Sequence, residues 1–190
     1  GKHSKGYFNS RLVTEDPQLL DEATYDLIQL FIEQGGALLQ VQGCVGPATG
    51  ATKLVQAASE WVKIHNQRPC FWASPTKQGE EPNKSMAFTD KERAMIRGQR
   101  VLSKEDVLTT GRSVALMDKA VESAGGIILP YVLVLVNRSG LQEVNGKRII
   151  ALIKRDMPIE EPEDCRLCKR GSRAIAPKEG DNWALLNASY

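Results

Sequence analysis

Residues 100–113, RVLSKEDVLTTGRS, constrain this chain more than any other stretch. Val101 and Leu102 read as a short strand, and Glu105 and Asp106 follow as an acidic pair. A Thr-Thr-Gly turn then opens directly into a helical pattern over 113–124. A strand that enters a helix through so short a turn is half of a strand–helix–strand unit, and such units build parallel sheets. The junction also has a chemical consequence. A loop of small and hydroxyl residues at a helix N-terminus offers backbone N–H groups, hydroxyl donors and the positive end of the helix dipole, which together cradle phosphate. The two carboxylates upstream are in reach of sugar hydroxyls, or of a Mg²⁺ that a phosphorylated ligand carries. These residues suggest a sugar phosphate. They also allow a plainer reading, in which Glu105 and Asp106 are a solvated strand end and Thr109 to Ser113 an ordinary helix cap.

Length and composition set the frame. A chain of 190 residues fits one domain with a core of its own, and 25% charged against 42% hydrophobic residues is an ordinary globular balance. A formal charge of +2 argues for neither nucleic acid nor membrane as partner. The opening GKHSKGYFN is polar and has no secretory hydrophobic region, so a cytoplasmic location is expected. Cys44 and Cys70 lie in apolar surroundings and read as buried thiols, whereas Cys165 and Cys168 form a CxxC in a polar tail. Zinc there would need two more ligands, and the two histidines, His3 and His65, stand at no motif spacing. No resident protein-held metal is therefore expected. Redox pairing lacks its βαβ context too.

Periodicity organises the rest. Leu19, Leu20, Ala23, Leu27, Leu30 and Phe31 recur at helical spacing and stop at Gly35-Gly36. A strand is expected over 37–45, an amphipathic helix over 52–66 and a short buried strand over 69–73. Residues 74–97 are polar, hold two prolines and a glycine, and show no period, which predicts a long flexible loop at the active site. Further strands are expected over 101–103, 127–136 and 147–153, with an irregular tail after Asp156. Strands alternating with helices imply an α/β domain, with ligands at the carboxyl ends of a mainly parallel sheet. The turns after Gly46, Ser74, Thr109 and Asn137 all follow strands and should converge there. In CVGPATGATK, small residues allow close backbone approach to a ligand at a helix start, although Gly-Pro turns are also common structural features.

EDVLTTGRS resembles the phosphoribosyl pyrophosphate (PRPP) signature of the type I phosphoribosyltransferases. The resemblance implies that Glu105 and Asp106 hold the ribose hydroxyls and that Thr109, Thr110, Gly111, Arg112 and Ser113 wrap the 5′-phosphate. Lys104 stands where that family has an apolar residue, and Arg112 where it has a small one. Gly46, Pro47, Ala48, Thr49 and Gly50 resemble the pyrophosphate loop of the orotate branch, with Ala51 in place of a second glycine. GKHSKGYFN is similar to that branch's base-covering segment, implying base contacts from Lys2, Tyr7 and Phe8, which could equally be core aromatics in the last two cases. VLVNRSG resembles its VxVDRxxG turn, implying Arg138 against a base carboxylate, with Asn137 replacing the acid; an exposed salt bridge is the alternative. The tail also resembles the CPLC-containing ending of some bacterial members.

The match fails in one place. Where the family has Glu-Arg, this chain has Ser74-Pro75, and Lys77 and Lys84 are the nearby cations left to assist pyrophosphate departure. The resemblance implies a type I phosphoribosyltransferase-like fold over 1–190, its parallel sheet flanked by helices, with 1–14 and 156–190 as a small hood. It implies a homodimer that uses PRPP with Mg²⁺, the ion held mainly by PRPP and water, and orotate as acceptor. Transfer to another base, or PRPP binding without catalysis in a regulator, are the alternatives that Pro75 leaves open.

Overall fold

The computed structural model describes residues 3–80, 82–177 and 179–187. Its elements follow from local chemistry. After β1 (His3–Ser4) and the single turn α1 (Arg11–Thr14), Asp16 caps α2 (Pro17–Glu33) by accepting from the amides of Gln18 and Leu19 at 2.9 and 3.0 Å. Pro17 occupies the first helical position, where a missing N–H costs nothing. Leu27, Ile28 and Phe31 form the buried face of α2. Helix α2 ends at Gly35, whose φ of +87° suits glycine.

The expected strand over 37–45 is corrected: a 3-10 turn (Leu38–Gln40) precedes a strand of only three residues, β2 (Gly43–Val45). The Phe71 ring lies where a side chain at residue 43 would stand, so Gly43 permits close strand packing. Helix α3 (Thr52–Asn66) matches its expected span and buries Leu54, Val55, Ala58 and Val62. Trp61 on α3 donates to Asp21 on α2 at 2.8 Å, and its ring meets that of Tyr25 at 5.2 Å with a tilt of 51°. Strand β3 (Phe71–Ala73) follows.

Residues 74–97 are not an irregular loop. They hold an antiparallel hairpin, β4 (Thr76–Gln78) with β5 (Ser85–Ala87), and the helix α4 (Asp90–Ile96). Thr89 and Glu92 form a reciprocal capping box on α4, a TxxE signal in a helix too short to display a period. Strand β6 (Arg100–Leu108) is nine residues long rather than three, and takes the acidic pair into the sheet itself. The charged run Lys104–Asp106 disguised it, because Lys104 and Glu105 are buried.

Helix α5 (Arg112–Ser123), β7 (Ile127–Asn137), β8 (Glu143–Val144) and β9 (Lys147–Lys154) complete the sheet. The tail is more ordered than expected, with β10 (Ile159–Glu160) and the short helices α6 (Arg166–Lys169) and α7 (Asn182–Asn187). No helix among the described residues is long and apolar enough to cross a membrane.

Two compact units result: Asn9–Asp156, and the termini Gly1–Phe8 with Met157–Tyr190. In the larger, six strands lie in the order β3-β2-β6-β7-β9-β8, parallel except at the β8–β9 edge. Val132, Val134, Ile149 and Ala151 pack with Leu108 and Val114 on one side of the sheet. Since β3 lies to one side of β2 and β6 to the other, the order switches direction between β2 and β6, and the carboxyl ends at such a switch point are where open α/β sheets bind ligands. In the smaller unit, β1 pairs antiparallel with β10.

Candidate functional site

Two loops leave the sheet at that switch point. Cys44 pairs with Leu102 and Val45 with Ser103 across β2 and β6, so the loop after β2 and the end of β6 are neighbours. The loop approaches closely: a Cβ on Gly50 would lie 2.7 Å from Asp106 Oδ2, and one on Gly46 would lie 2.9 Å from the Lys104 carbonyl. Glycine is required at both positions because the acid and the strand backbone fill the space. The loop after β2 thus packs directly against Asp106 and the backbone of β6. The Ala48–Thr49 peptide in this loop is cis. The Ala48 amide donates to the Pro75 carbonyl at 3.1 Å, which ties the loop to the start of the hairpin.

Within the pair the two acids differ. Burial, reinforced by Asp106 beside it, raises the Glu105 carboxyl well above its ordinary value, with the Lys77 charge opposing. Burial also pushes Asp106 up, but hydrogen bonds from Glu105, Ser10 and the Val107 amide outweigh it and hold Asp106 low. Ser10 Oγ donates to Asp106 Oδ2 at 2.6 Å. The two environments thus push the pair apart, Glu105 toward its neutral form and Asp106 toward its charged form, as expected where two buried carboxylates are adjacent. Ser10 escaped sequence reasoning; it lies 96 residues from its partner, with no local signal.

The loop after β6 runs into α5. Gly111 caps that helix at φ +77° without a side-chain hydrogen bond, and the first-turn amides of α5 point into the loop. The Arg112 amide reaches Thr110 Oγ1 at 3.4 Å. Thr110 and Arg112 are exposed, Thr109 and Ser113 half-buried, and Gly111 buried against Val144. Helix α5 is anchored from below: Asp118 takes hydrogen bonds from Lys147 and from Asn145 Nδ2, and Lys147 also reaches Ser103 Oγ at 3.2 Å.

Arg138 follows β7 at the same end of the sheet, its amide donating to the Leu108 carbonyl at 3.0 Å. It is buried, not exposed, and desolvation lowers its pKa. Asn137 has a structural reason to replace an acid. Its Nδ2 donates to the Leu141 carbonyl at 2.8 Å, while Oδ1 accepts from Ser139 N and Oγ at 3.0 and 2.6 Å, so a carboxylate would lose the donor.

Lys77 lies on exposed β4 and its charge is felt at Glu105, whereas Lys84 lines a groove with Arg93 and Lys119 against α5. Pro75 is buried. Lys2 lies outside the described residues. Tyr7 and Phe8 belong to the terminal unit, where the Tyr7 ring meets Trp183 edge-on at 5.7 Å. In that unit His3 Nδ1 sits 3.3 Å from Cys168 Sγ, a juxtaposition that spacing along the chain concealed. Cys44 is buried as expected; Cys70 is only half-buried. Both lie beside the buried Lys104, whose charge bears on their thiols.

No protein-family profile matches the chain. Among curated proteins, the orotate phosphoribosyltransferase of Desulforamulus reducens is 33% identical over 177 residues, covering 93% of this chain and 84% of the relative. That of Pelotomaculum thermopropionicum is 31% identical over the same shares. Among solved structures, Mycobacterium tuberculosis orotate phosphoribosyltransferase in complex with Fe(III) dicitrate aligns with a TM-score of 0.58 at 22% identity, over 78% of this chain and 79% of that one. Adenine phosphoribosyltransferase from Thermoanaerobacter pseudethanolicus aligns with a TM-score of 0.58 at 21% identity, over 75% and 83%. The structural likeness shows the fold, which proteins named for different bases share. The sequence likeness goes further: at 33% identity over most of both proteins, this chain belongs to the orotate phosphoribosyltransferase family.

Proposed function

We propose that the chain transfers the phosphoribosyl group of PRPP to orotate, giving orotidine 5′-monophosphate and pyrophosphate. The observation that carries this reading is the meeting of the Gly46–Gly50 loop with Asp106 at the sheet switch point, beside the amides that open α5. Thr109 to Ser113 take the 5′-phosphate on backbone N–H groups and hydroxyls. Asp106, the charged member of its pair, accepts from the ribose hydroxyls, and Glu105 supports it with its proton. The Gly46–Gly50 amides receive the pyrophosphate. Arg138 is a desolvated guanidinium, suited to the carboxylate that distinguishes orotate from uracil.

Magnesium fits this donor set, which is oxygen-only with one carboxylate kept charged. Glu105 and Asp106 would meet it through its waters while PRPP holds it, and when bound it supplies charge neutralisation for the departing pyrophosphate. The chain's own contribution is position and charge. Lys77, and more distantly Lys84, stand in for the family arginine that Pro75 replaces. The reaction uses no protein nucleophile, so its rate comes from alignment and from stabilising charge as the C1–O bond loosens. A cytoplasmic homodimer is part of the same reading.

Orotate turnover by Arg138→Ala and Asp106→Asn tests this assignment. Arg138→Ala should raise KM for orotate with little change in KM for PRPP, and Asp106→Asn should weaken PRPP. Unchanged orotate kinetics in Arg138→Ala would remove orotate recognition from this residue.

A further inference from the structure

The terminal unit holds a cluster that the reaction does not use. The ligand atoms of His3, Cys165 and Cys168 all lie within 4.8 Å of one another. Three elements bring them together. The β1–β10 pairing sets His3 opposite Glu160. Glu160 Oε2 then accepts the Arg166 amide at 3.1 Å, which fixes the start of α6 against the strand end. Cys165 caps α6, its Sγ accepting from the Cys168 amide at 3.4 Å, so both sulfurs face one point. His3 and Cys165 are buried, while half-buried Cys168 leaves an entry path.

We propose that His3, Cys165 and Cys168 bind a thiophilic divalent cation, zinc by ligand type, that joins the N-terminal strand to the C-terminal tail. Two thiolates and one imidazole are a zinc donor set, and the 3.3 Å from His3 Nδ1 to Cys168 Sγ is close to the roughly 3.6 Å edge of a tetrahedron with ordinary Zn–N and Zn–S bonds. Among the described residues no fourth side chain joins the group. Binding releases two thiol protons to solvent, and the pair of thiolates neutralises the ion.

The placement of His3 separates this reading from a redox pair. A disulfide needs only the two cysteines and gives no reason for a buried imidazole aimed at one of them. The unit also needs a staple. Among its described residues, strands of two residues and short helices hold Gly1–Phe8 to Met157–Tyr190, so a shared ion would be a substantial cross-link. The inference is independent of the reaction, and its test does not read activity.

The whole chain, without a histidine tag and purified from zinc-supplemented cells, is analysed for metal by mass spectrometry. About one zinc per chain is expected, lost in Cys165→Ser/Cys168→Ser and retained in His65→Ala. Cobalt exchanged into the wild-type chain should show thiolate-to-cobalt charge-transfer absorption. His3→Ala, which keeps both thiols, should weaken zinc by more than the roughly 10- to 100-fold typical of losing an outer partner. A metal-free chain, zinc retained in the double serine variant, unchanged affinity in His3→Ala, or recovery of the CxxC as a disulfide would overturn the proposal.

Discussion

Asp106 and Glu105 are adjacent in sequence yet are shifted in opposite directions, and the pH behaviour of the ligand-free protein should report it. A carboxyl whose folded pKa is raised binds its proton more tightly in the native state. Its burial therefore costs stability as pH rises from the unfolded value, near 4.5, through the folded one. Glu105→Gln removes that cost. The variant should melt higher than wild type at about pH 8, and its advantage should shrink as pH falls toward the unfolded value. Asp106 runs the other way: its lowered pKa contributes stability above the unfolded value, lost as pH falls through the folded one. Lys77 is the second residue on which the account depends. Removing a positioned charge stabiliser costs about 10²–10³ in rate, so Lys77→Ala should lower kcat on that scale while PRPP affinity changes little. Stopped-flow turnover at saturating PRPP checks it. A mere rise in KM would move Lys77 from charge stabilisation to binding.

At the scale of elements, the loop between β6 and α5 depends on Gly111. Its φ is +77°, and a Cβ there would lie 2.3 Å from Val144 Cγ2. Gly111→Ala should cost about 1–2 kcal/mol for the left-handed backbone, with the clash added, and should weaken PRPP. Denaturant unfolding reads the loss. Val144→Ala in that background should restore the clash component and leave the backbone component. This loop was legible in the chain because strand, turn and helix start are all local signals. Helix α3 was legible too, since its apolar residues recur every three to four positions. Strand β6 was read short because charged residues inside a sheet contradict the strand pattern, and Lys104 is buried here all the same. The hairpin β4–β5 and helix α4 were missed because elements of three to seven residues are too brief to show a period. Ser10 against Asp106 and His3 against Cys168 were hidden for another reason: tertiary contacts across most of the chain leave no trace in spacing.

At the level of the whole molecule, the sheet order sets one switch point, and the loops that follow β2, β6 and β7 leave the sheet at the same end. Family membership points to phosphoribosyl chemistry at that end of the sheet, and Pro75 stands where the resemblance of the sequence to that family fails. On the proposed function, Lys77 and the Gly46–Gly50 loop keep the site competent without the arginine. Orotate-dependent release of pyrophosphate from PRPP, measured on the whole chain with Mg²⁺ and repeated with uracil and adenine, tests it most directly. Sustained turnover with orotate alone is expected, matched mole for mole by orotidine 5′-monophosphate. Tight PRPP binding with no pyrophosphate released by any base would contradict it.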